Sequence, residues 1–438
     1  MLRDKELLLY RGFNHGDILD DASELIYEYE FGYDEEENER YRALLFSIAH
    51  RLIELAYSHG YTGNLWQMYL TYLLVNNENA YSMAVELKGH TEGTLNDAAL
   101  HDLRIFKDMF EYDLAGIDEN LNAGCLSILT EYNSMNEQSK MFNKRVRDRV
   151  CELSVALAAA EDVQEFKDIL ESFYKDFGVG KFGLHKAFRV EHDAQDNVVI
   201  KPITNIAHVY LEDLVGYEIA KQKLIENTEA FVEGRPANNC LLFGDAGTGK
   251  SSAIKGIMNK YYDKGLRLIE LYKHQFKDIN DIIAQVKNRN YRFIIYMDDL
   301  SFEDFETDYK YLKAVIEGGL EKKPDNVLIY ATSNRRHLIK ETWSDRDDIK
   351  VDNGIHKSDT MQEKLSLVYR FGVTIYFGKP DKKEFNNIVK VLAERNNIDM
   401  PEDELLLEAG RWELAHGGLS GRTAVQYVDH ILGTAHKL

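Results

Sequence analysis

The chain has 438 residues, 44% of them hydrophobic and 11% aromatic, which is enough apolar material for a globular protein of two or three domains. Its formal net charge of −21, from 53 basic and 74 acidic residues, opposes non-specific binding to nucleic acid because the overall field repels phosphate. The cysteines lack metal-ligand or disulfide spacing, and the sequence shows no secretory signal and no apolar run of about 18 residues, so we expect a cytoplasmic protein without membrane insertion.

The beginning of the chain is strongly acidic and includes the run YDEEENER. Such a run is usually a solvated face, and the alternative is an arm that docks on a basic partner. From residue 41 to about residue 177, apolar residues recur at spacings of three and four, which predicts helices. We therefore predict a mainly α-helical N-terminal domain, residues 1–185, whose role is to bind a client or partner.

The rhythm of the sequence changes after this region. KAFRVEHDAQDNVVIKPI alternates apolar and polar residues around DAQD, which predicts a hairpin that links two domains at residues 186–202. Short runs rich in Ile, Leu and Val then alternate with helical stretches over residues 203–378, which is typical of a parallel sheet covered by helices. A last helical segment, residues 379–438, is predicted to form a lid. The predicted fold class is α/β, with a helical N-terminal domain and a C-terminal helical lid.

The strongest motif is GDAGTGKS, which matches G-x-x-x-x-G-K-[ST] between an apolar run and a helical pattern. Its glycines permit positive φ and turn backbone N–H groups toward an anion, and the helix that follows adds its positive end. The lysine supplies a charge for the β- and γ-phosphates, and the serine supplies a hydroxyl for Mg²⁺. We therefore predict that ATP is bound by Gly244, Asp245, Ala246, Gly247, Thr248, Gly249, Lys250, Ser251 and Ser252.

A second motif, RFIIYMDDL, carries the expected acidic partner of the phosphate loop. Four apolar strand residues precede Asp298, whose carboxylate is predicted to hold Mg²⁺ together with Ser251. Another candidate strand, LRLIELY, lies between the loop and this motif in the sequence. An intervening strand favours the additional-strand class of P-loop ATPases over the GTPase and kinase class.

With these two motifs in place, the region from about residue 203 to residue 438 resembles the AAA+ ATPases. The likeness extends to LEDLVGYEIAKQKLIENTEAF, YATSNRRHL, EKLSLVYRFG and GGLSGRTAVQYVDHI, and the combination looks most like a bacterial branch still filed as a domain of unknown function. The resemblance implies that Val215 and Gly216 line the adenine pocket and that Asn334 is the sensor 1 residue. It further implies that Arg370 is an arginine finger and that Arg422 is a sensor 2 residue that reaches back to the nucleotide.

Each arginine also has a structural interpretation. Arg370 could be a surface residue at a helix end, where a cation suits the helix dipole, and Arg422 could cap a lid helix. Arg335 and Arg336 follow sensor 1 and are either additional fingers or interface salt bridges. Arg346 has acidic neighbours and is predicted to pair locally.

The acidic pair departs from the resemblance. The usual AAA+ pair is Asp-Glu, whereas this chain has Asp298 followed by Asp299. Aspartate is shorter by one methylene, and a misplacement of about 1 Å can cost roughly a hundredfold in rate. We therefore predict slow hydrolysis with Asp299 as the base that activates water, and Glu303 is the alternative base.

An arginine finger acts across a subunit boundary, so the resemblance implies a homo-oligomer, either a ring or a filament. Our first hypothesis is an ATPase that uses ATP and Mg²⁺ to remodel or load an unidentified protein client. The second is a nucleotide-gated binding or oligomerisation module with little turnover. The third is a DNA-associated helper in replication or transposition.

Two features of the sequence bear on the client. LYKHQFKDIN follows the second core strand and contains Tyr272 and Phe276, but no glycine accompanies them, which favours packing over a client-gripping loop. Basic residues gather in the same region and form either a DNA-facing surface or a solvated one. They are Lys264, Arg267, Lys273, Lys277, Lys287 and Arg289.

Overall fold

The chain forms two compact units in a computed structural model, Met1–His185 with Pro202–Asn205 and Lys186–Lys201 with Ile206–Leu438. Among the described residues, no helix combines the length and the apolar character that a membrane crossing requires. The structure describes residues 3–32, 34–112, 114–133, 144–204, 206, 209–302, 309–317, 324–335, 338 and 367–434.

The first unit is helical, as the three- and four-residue spacing predicts. The helix Leu65–Asn76 is apolar on every side and buried, and Asn64 caps it by accepting hydrogen bonds from the N–H groups of Trp66 and Gln67. The helices that the structure describes in this unit are α1 (Gly16–Phe31), α2 (Asn38–His59), α3 (Leu65–Asn76), α4 (Ala80–Lys88), α5 (Thr94–Glu111), α6 (Ala115–Asn120), α7 (Leu126–Thr130), α8 (Lys144–Ala159), α9 (Val163–Phe177) and α10 (Gly180–Leu184).

A carboxylate at the centre of this unit holds the segment that precedes α1. Asp102 in α5 has a relative exposure of 0%. It accepts hydrogen bonds from the backbone N–H groups of Leu8 (2.9 Å), Leu9 (2.7 Å) and Tyr10 (3.1 Å). These N–H groups precede the helix and have the Asp102 carboxylate as their acceptor. The carboxylate therefore fixes the segment against α5.

The second unit is built on a seven-stranded sheet of order β2-β1-β4-β5-β6-β3-β7. The strand pairs β1–β4, β4–β5, β5–β6, β6–β3 and β3–β7 are parallel, so the α/β fold class is confirmed. The strands are β1 (Ala187–His192), β2 (Val198–Pro202), β3 (Cys240–Gly244), β4 (Leu266–Glu270), β5 (Arg292–Met297), β6 (Val327–Ser333) and β7 (Val373–Phe377).

The segment 186–202 differs from the predicted linker. It does form two strands, but β1 pairs in parallel with β4, with Ala187 opposite Leu268. The turn between β1 and β2 is closed by Asp193, whose carboxylate accepts hydrogen bonds from the N–H groups of Gln195 and Asn197. The strands therefore extend the sheet, and the linker assignment is wrong because apolar β1 residues find a partner strand there.

The sheet order also refines the argument about an intervening strand. LRLIELY forms β4, which lies on the far side of β5 from β3. The strand that separates β3 from β5 in the sheet is β6, which carries the sequence VLIYATS. Because parallel strands end at the same edge, the residues after β3, β5 and β6 meet there.

Helices cover this sheet and continue into a helical C-terminal region. Phe385, Val389, Ala409 and Ala424 are buried together in the core of the last three helices, as predicted for a lid. The described helices of the second unit are α11 (Glu218–Val232), α12 (Lys250–Tyr261), α13 (Ile279–Val286), α14 (Tyr309–Glu317), α15 (Lys382–Arg395), α16 (Glu402–Ala415) and α17 (Gly421–Thr434).

Candidate functional site

The turn between β3 and α12 has the glycine conformations that its sequence predicts. Gly244, Gly247 and Gly249 have φ values of 139°, 75° and 90°. A Cβ atom on Gly244 would lie 2.0 Å from the backbone carbonyl oxygen of Phe377, so the close approach and the positive φ both require glycine there. The prediction of positive φ at these three residues is confirmed.

Lys250 begins α12 and folds back over the turn. Its side chain donates hydrogen bonds from Nζ to the carbonyl oxygens of Gly244 (3.0 Å) and Asp245 (2.6 Å) and to Asn334 Oδ1 (3.0 Å). Burial lowers the pKa of Lys250, although the nearby carboxylates of Asp245 and Asp299 oppose that shift. The ammonium group therefore lies inside the turn and is hydrogen-bonded to neutral oxygen atoms. A bound anion would offer it negatively charged acceptors in their place.

The next residue connects the turn to β5 and β6. Ser251 Oγ donates to Asp298 Oδ1 at 2.7 Å, and Thr332 Oγ1 donates to the same oxygen at 2.5 Å. Burial alone would raise the pKa of Asp298, but the hydrogen bonds from Thr332 and Ser251, together with the nearby hydroxyl of Tyr296, outweigh it and lower the pKa. An ionised carboxylate beside a hydroxyl is a hard-oxygen donor set of the kind that Mg²⁺ prefers, so these residues fit the predicted metal.

Asp299 has an unusual backbone. Its φ is 50°, a left-handed conformation that aspartate and asparagine tolerate better than most residues, and its N–H donates to Thr332 Oγ1 at 2.9 Å. Its Oδ1 accepts a hydrogen bond of 2.7 Å from Asn334 Nδ2. Asn334 therefore joins Asp299 to Lys250. The alternative base, Glu303, lies outside the described residues.

These groups open into one pocket of about 810 Å³, a volume in the range of small-molecule sites. Most residues that the motifs and the resemblance single out line it. They are Val215, Ala246, Gly247, Thr248, Gly249, Lys250, Ser251, Ser252, Asp298, Asp299, Asn334 and Arg422.

Several predicted residues lie elsewhere. Gly216, Gly244 and Asp245 are not among the described residues that line the pocket, although the carbonyls of Gly244 and Asp245 hold Lys250. Arg370 is not among them either; it is partly buried and follows the helical residues 367–369 just before β7. Arg335 is exposed after β6. The predictions for Arg336 and Arg346 fall outside the described residues.

The lid contacts the phosphate loop through its backbone. The Arg422 N–H, in the first turn of α17, donates to the Gly247 carbonyl at 3.1 Å. The Lys379 N–H donates to Asp245 Oδ2 at 3.1 Å. At the other end of the pocket, Arg395 donates to the carbonyl oxygens of Glu212 (2.7 Å) and Asp213 (3.1 Å). The lid is therefore attached on both sides of the pocket.

Sequence reasoning missed the apolar part of the pocket. Ile388, Leu392 and Arg395 all line it from α15, where their spacing of four and three residues places them on one face. That spacing was a usable signal, whereas the approach of α15 to the phosphate loop was not visible in the sequence. The other missed lining residues are Val209, Asp213, Leu214, Tyr217, Thr332, Gly421, Val425 and Gln426.

The basic and aromatic residues near β4 are partly structural. Arg267 is buried, and its guanidinium lies 4.2 Å from the Tyr262 ring centroid and 4.3 Å from that of Tyr291. Arg289 is buried as well, so neither arginine contributes to a basic surface. Phe276 is also buried, which confirms its predicted packing role.

Tyr272 differs from Phe276 because about half of its side chain is exposed. Its ring is nearly parallel to that of His274, at a centroid distance of 6.0 Å, and its hydroxyl donates to Glu270 Oε2. The predicted packing role therefore holds for the buried aromatic residue alone.

Comparison with known proteins gives one family and several distant relatives. Residues 183–435 match the family described as "Protein of unknown function (DUF815)". A replication factor C large subunit from Staphylothermus marinus is 33% identical over 73 residues, which is 16% of this chain and 16% of that protein. A chromosomal replication initiator protein DnaA from Borrelia garinii subsp. bavariensis is 20% identical over 282 residues, 64% of this chain and 52% of that protein.

Among solved structures, the RuvB Holliday junction branch migration motor of Thermotoga maritima is similar at 15% identity, with a TM-score of 0.36 over 52% of this chain and 65% of that one. The chain thus spans 16%, 52% and 65% of the lengths of these three proteins. With the family match and the sheet order, the predicted resemblance to AAA+ ATPases of a branch of unknown function is confirmed.

Proposed function

The chain belongs to the DUF815 family, whose function is unknown, and we propose that it binds ATP with Mg²⁺ and hydrolyses it slowly to drive a change in a macromolecular client. One observation carries this proposal. The turn after β3, the acidic residues after β5 and Asn334 after β6 all line one pocket. Three separate parts of the sequence thereby supply an anion cradle, hard-oxygen ligands and a polar sensor to the same space.

In this proposal the triphosphate occupies the turn, and Lys250 exchanges its carbonyl contacts for phosphate oxygens. Backbone N–H groups of the turn and the first residues of α12 then share the remaining charge. Val215 and Leu214, with Ile388 and Leu392 of the lid, present an apolar surface for the base. Arg422 lines the same pocket and is proposed to contact phosphate.

Ser251 and Asp298 would hold Mg²⁺, which when bound supplies positive charge against the β- and γ-phosphate oxygens. Asp299 is proposed to accept a proton from water as the water oxygen attacks the γ-phosphorus, while the bond to the bridging oxygen breaks and ADP leaves. Asn334 orients Asp299 through the hydrogen bond of 2.7 Å. The left-handed backbone of Asp299 gives its short side chain a different starting direction from that of a residue in an extended strand.

We further propose that the active species is a homo-oligomer in which Arg370 serves the pocket of a neighbouring subunit. Its position outside the residues that line its own pocket supports this role. Light scattering with and without a non-hydrolysable ATP analogue should detect assembly. Mixing Arg370→Ala with Lys250→Ala should restore some turnover if the finger acts across subunits, and no restoration would contradict it.

A nucleotide-gated module with little turnover is the second candidate. Asp299 supports it because its Oδ1 already accepts the amide of Asn334. A phosphate-release assay on the wild type, Lys250→Ala and Asp299→Asn separates the two candidates. Turnover that both variants lose supports the ATPase, whereas ATP binding without any turnover in the wild type supports the gated module.

The printed names of the relatives motivate a third candidate, a role on DNA in replication. The burial of Arg267 and Arg289 weakens the predicted basic surface, and we therefore favour a protein client. Addition of DNA over a salt series should leave the turnover unchanged. Salt-sensitive stimulation by DNA would favour the third candidate.

A further inference from the structure

Tyr296 in β5 lies two residues before Asp298, and no motif assigns it a role. Its side chain is 2% exposed. Its hydroxyl is buried and forms no hydrogen bond of normal geometry within the part of the chain that the structure describes. It nevertheless faces the polar side chains of Ser251, Asp298 and Thr332. A buried hydroxyl without a partner is costly, so its retention beside a candidate metal site calls for a reason.

The neighbouring strand provides a direct contrast. Tyr330 of β6 is opposite Tyr296 in the parallel register and is equally buried. Its hydroxyl is fully engaged, at 2.9 Å from both Asn227 Nδ2 and Thr228 Oγ1 of α11. The two buried tyrosines thus differ in one respect: the hydroxyl of Tyr330 has hydrogen-bond partners of normal geometry, whereas that of Tyr296 has none within the described ranges and faces the site.

The hydrogen bonds of Asp298 show what the free hydroxyl can do. In this structure Oδ1 accepts from both Ser251 and Thr332. If the Ser251 oxygen binds a cation, the Ser251 hydroxyl must reorient, and its hydrogen bond to Asp298 weakens. The Asp298 carboxylate is then oriented mainly by Thr332. Tyr296 is an O–H donor that interacts with Asp298 but has no hydrogen bond of normal geometry among the described residues, so it can take that place.

We propose that Tyr296 is a positioning residue, whose hydroxyl donates to Asp298 when Ser251 turns to the cation and keeps the carboxylate directed at it. The inference rests on the proposed function, since it concerns the cation that accompanies the nucleotide. It assigns no contact between Tyr296 and the nucleotide. The hydroxyl is satisfied in the loaded state, and this coupling favours metal-bound nucleotide over nucleotide alone.

The test compares Tyr296→Phe with the matched control Tyr330→Phe. Binding of a fluorescent ATP analogue is measured in EDTA and over a Mg²⁺ series, and melting is measured without ligand. We expect Tyr296→Phe to raise the Mg²⁺ concentration at half-effect by roughly tenfold or more, as for other groups that orient metal ligands, while binding in EDTA is unchanged. Tyr330→Phe should leave the Mg²⁺ dependence unchanged and should melt at a lower temperature than Tyr296→Phe.

Each other outcome overturns the inference. An unchanged Mg²⁺ midpoint in Tyr296→Phe, or equal shifts in both variants, would show that the hydroxyl does not position Asp298. A Tyr296→Phe protein that does not fold, or that melts below Tyr330→Phe, would contradict the unsatisfied hydroxyl on which the inference depends. If the wild type binds no nucleotide at all, the proposed function fails first, and the two failures are thereby distinguished.

Discussion

Two aspartates, one in each unit, show how the same side chain serves structure in one place and a site in another. Asp102 is fully buried, and three backbone N–H groups donate to it. Asp298 is exposed toward the pocket, and the hydroxyls of Ser251 and Thr332 donate to it. Backbone donors cannot leave without local unfolding, whereas a hydroxyl can rotate. The difference in donors therefore separates a fixed carboxylate from one that can exchange its partners.

The largest effect should follow from breaking the fixed side of this comparison. Asp102→Ala removes the acceptor of three backbone N–H groups, of which that of Tyr10 is buried and those of Leu8 and Leu9 are partly buried, and we expect a loss of about 4 kcal/mol in the free energy of unfolding. Urea unfolding monitored by circular dichroism measures it. The exposed Asp108, which lies on the same helix as Asp102 and pairs with Arg3, provides the control, since Asp108→Ala should cost less than about 1 kcal/mol. Similar losses in the two variants would remove the distinction.

The exchangeable side should behave in the opposite way. Asp298→Asn should change the free energy of unfolding by less than about 1 kcal/mol, because its partners are side chains at an open pocket. It should weaken Mg²⁺-dependent binding of the ATP analogue by about a hundredfold, since it removes the charge that faces the cation. Calorimetric titration with and without Mg²⁺ measures the effect, and equal losses in both conditions would contradict the metal-binding role.

Asp299 sharpens the comparison because its backbone, and not only its side chain, is specialised. If the chain needed the usual glutamate, Asp299→Glu would raise turnover. We expect it instead to lower turnover by about tenfold, because the left-handed φ and the hydrogen bond from Asn334 suit the shorter side chain. Steady-state phosphate release measures this, with Asp299→Asn as the inactive reference. A faster Asp299→Glu enzyme would refute the expectation.

The smallest effect concerns the lid. Arg395→Ala removes two hydrogen bonds to backbone carbonyls at the base side of the pocket, and nucleotide affinity should fall by about fivefold, or roughly 1 kcal/mol. Arg411, which pairs with Glu408 on the surface of α16, is the matched lid control, and Arg411→Ala should leave affinity unchanged. Fluorescence anisotropy of a labelled nucleotide measures both variants. Equal nucleotide affinity in the two variants would show that the hydrogen bonds of Arg395 do not contribute to nucleotide binding.

The parts of the site that lie within one short motif could be predicted from the sequence. Lys250 and Ser251 follow directly from the glycine pattern, and Asp298 follows from an apolar strand that ends in a carboxylate. The lid residues Ile388 and Leu392 could not be assigned to the pocket, because their role depends on how α15 approaches a loop far away in the sequence. The left-handed φ of Asp299 was hidden for a similar reason, since the partners of this residue are Thr332 of β6 and Asn334 after it.

The fold shows the same division. Periodicity predicted the helices and most of the strands. It nevertheless assigned β1 and β2 to a linker, because a local sequence pattern does not show which distant strand a segment pairs with. Arg267 was counted with the basic surface, although Tyr262 and Tyr291 enclose it. Cationic residues are usually exposed, and only the three-dimensional contact with two rings reverses that expectation.

The connection between the phosphate loop and the lid has a consequence for sequence variation. The Arg422 N–H reaches the Gly247 carbonyl with main-chain atoms alone, so residues other than proline at position 422 preserve this contact whatever their side chains. A homologue could therefore lose the arginine, and with it any phosphate contact, while its lid still moved together with the loop. The main-chain contact and the proposed phosphate contact at this position can therefore vary independently.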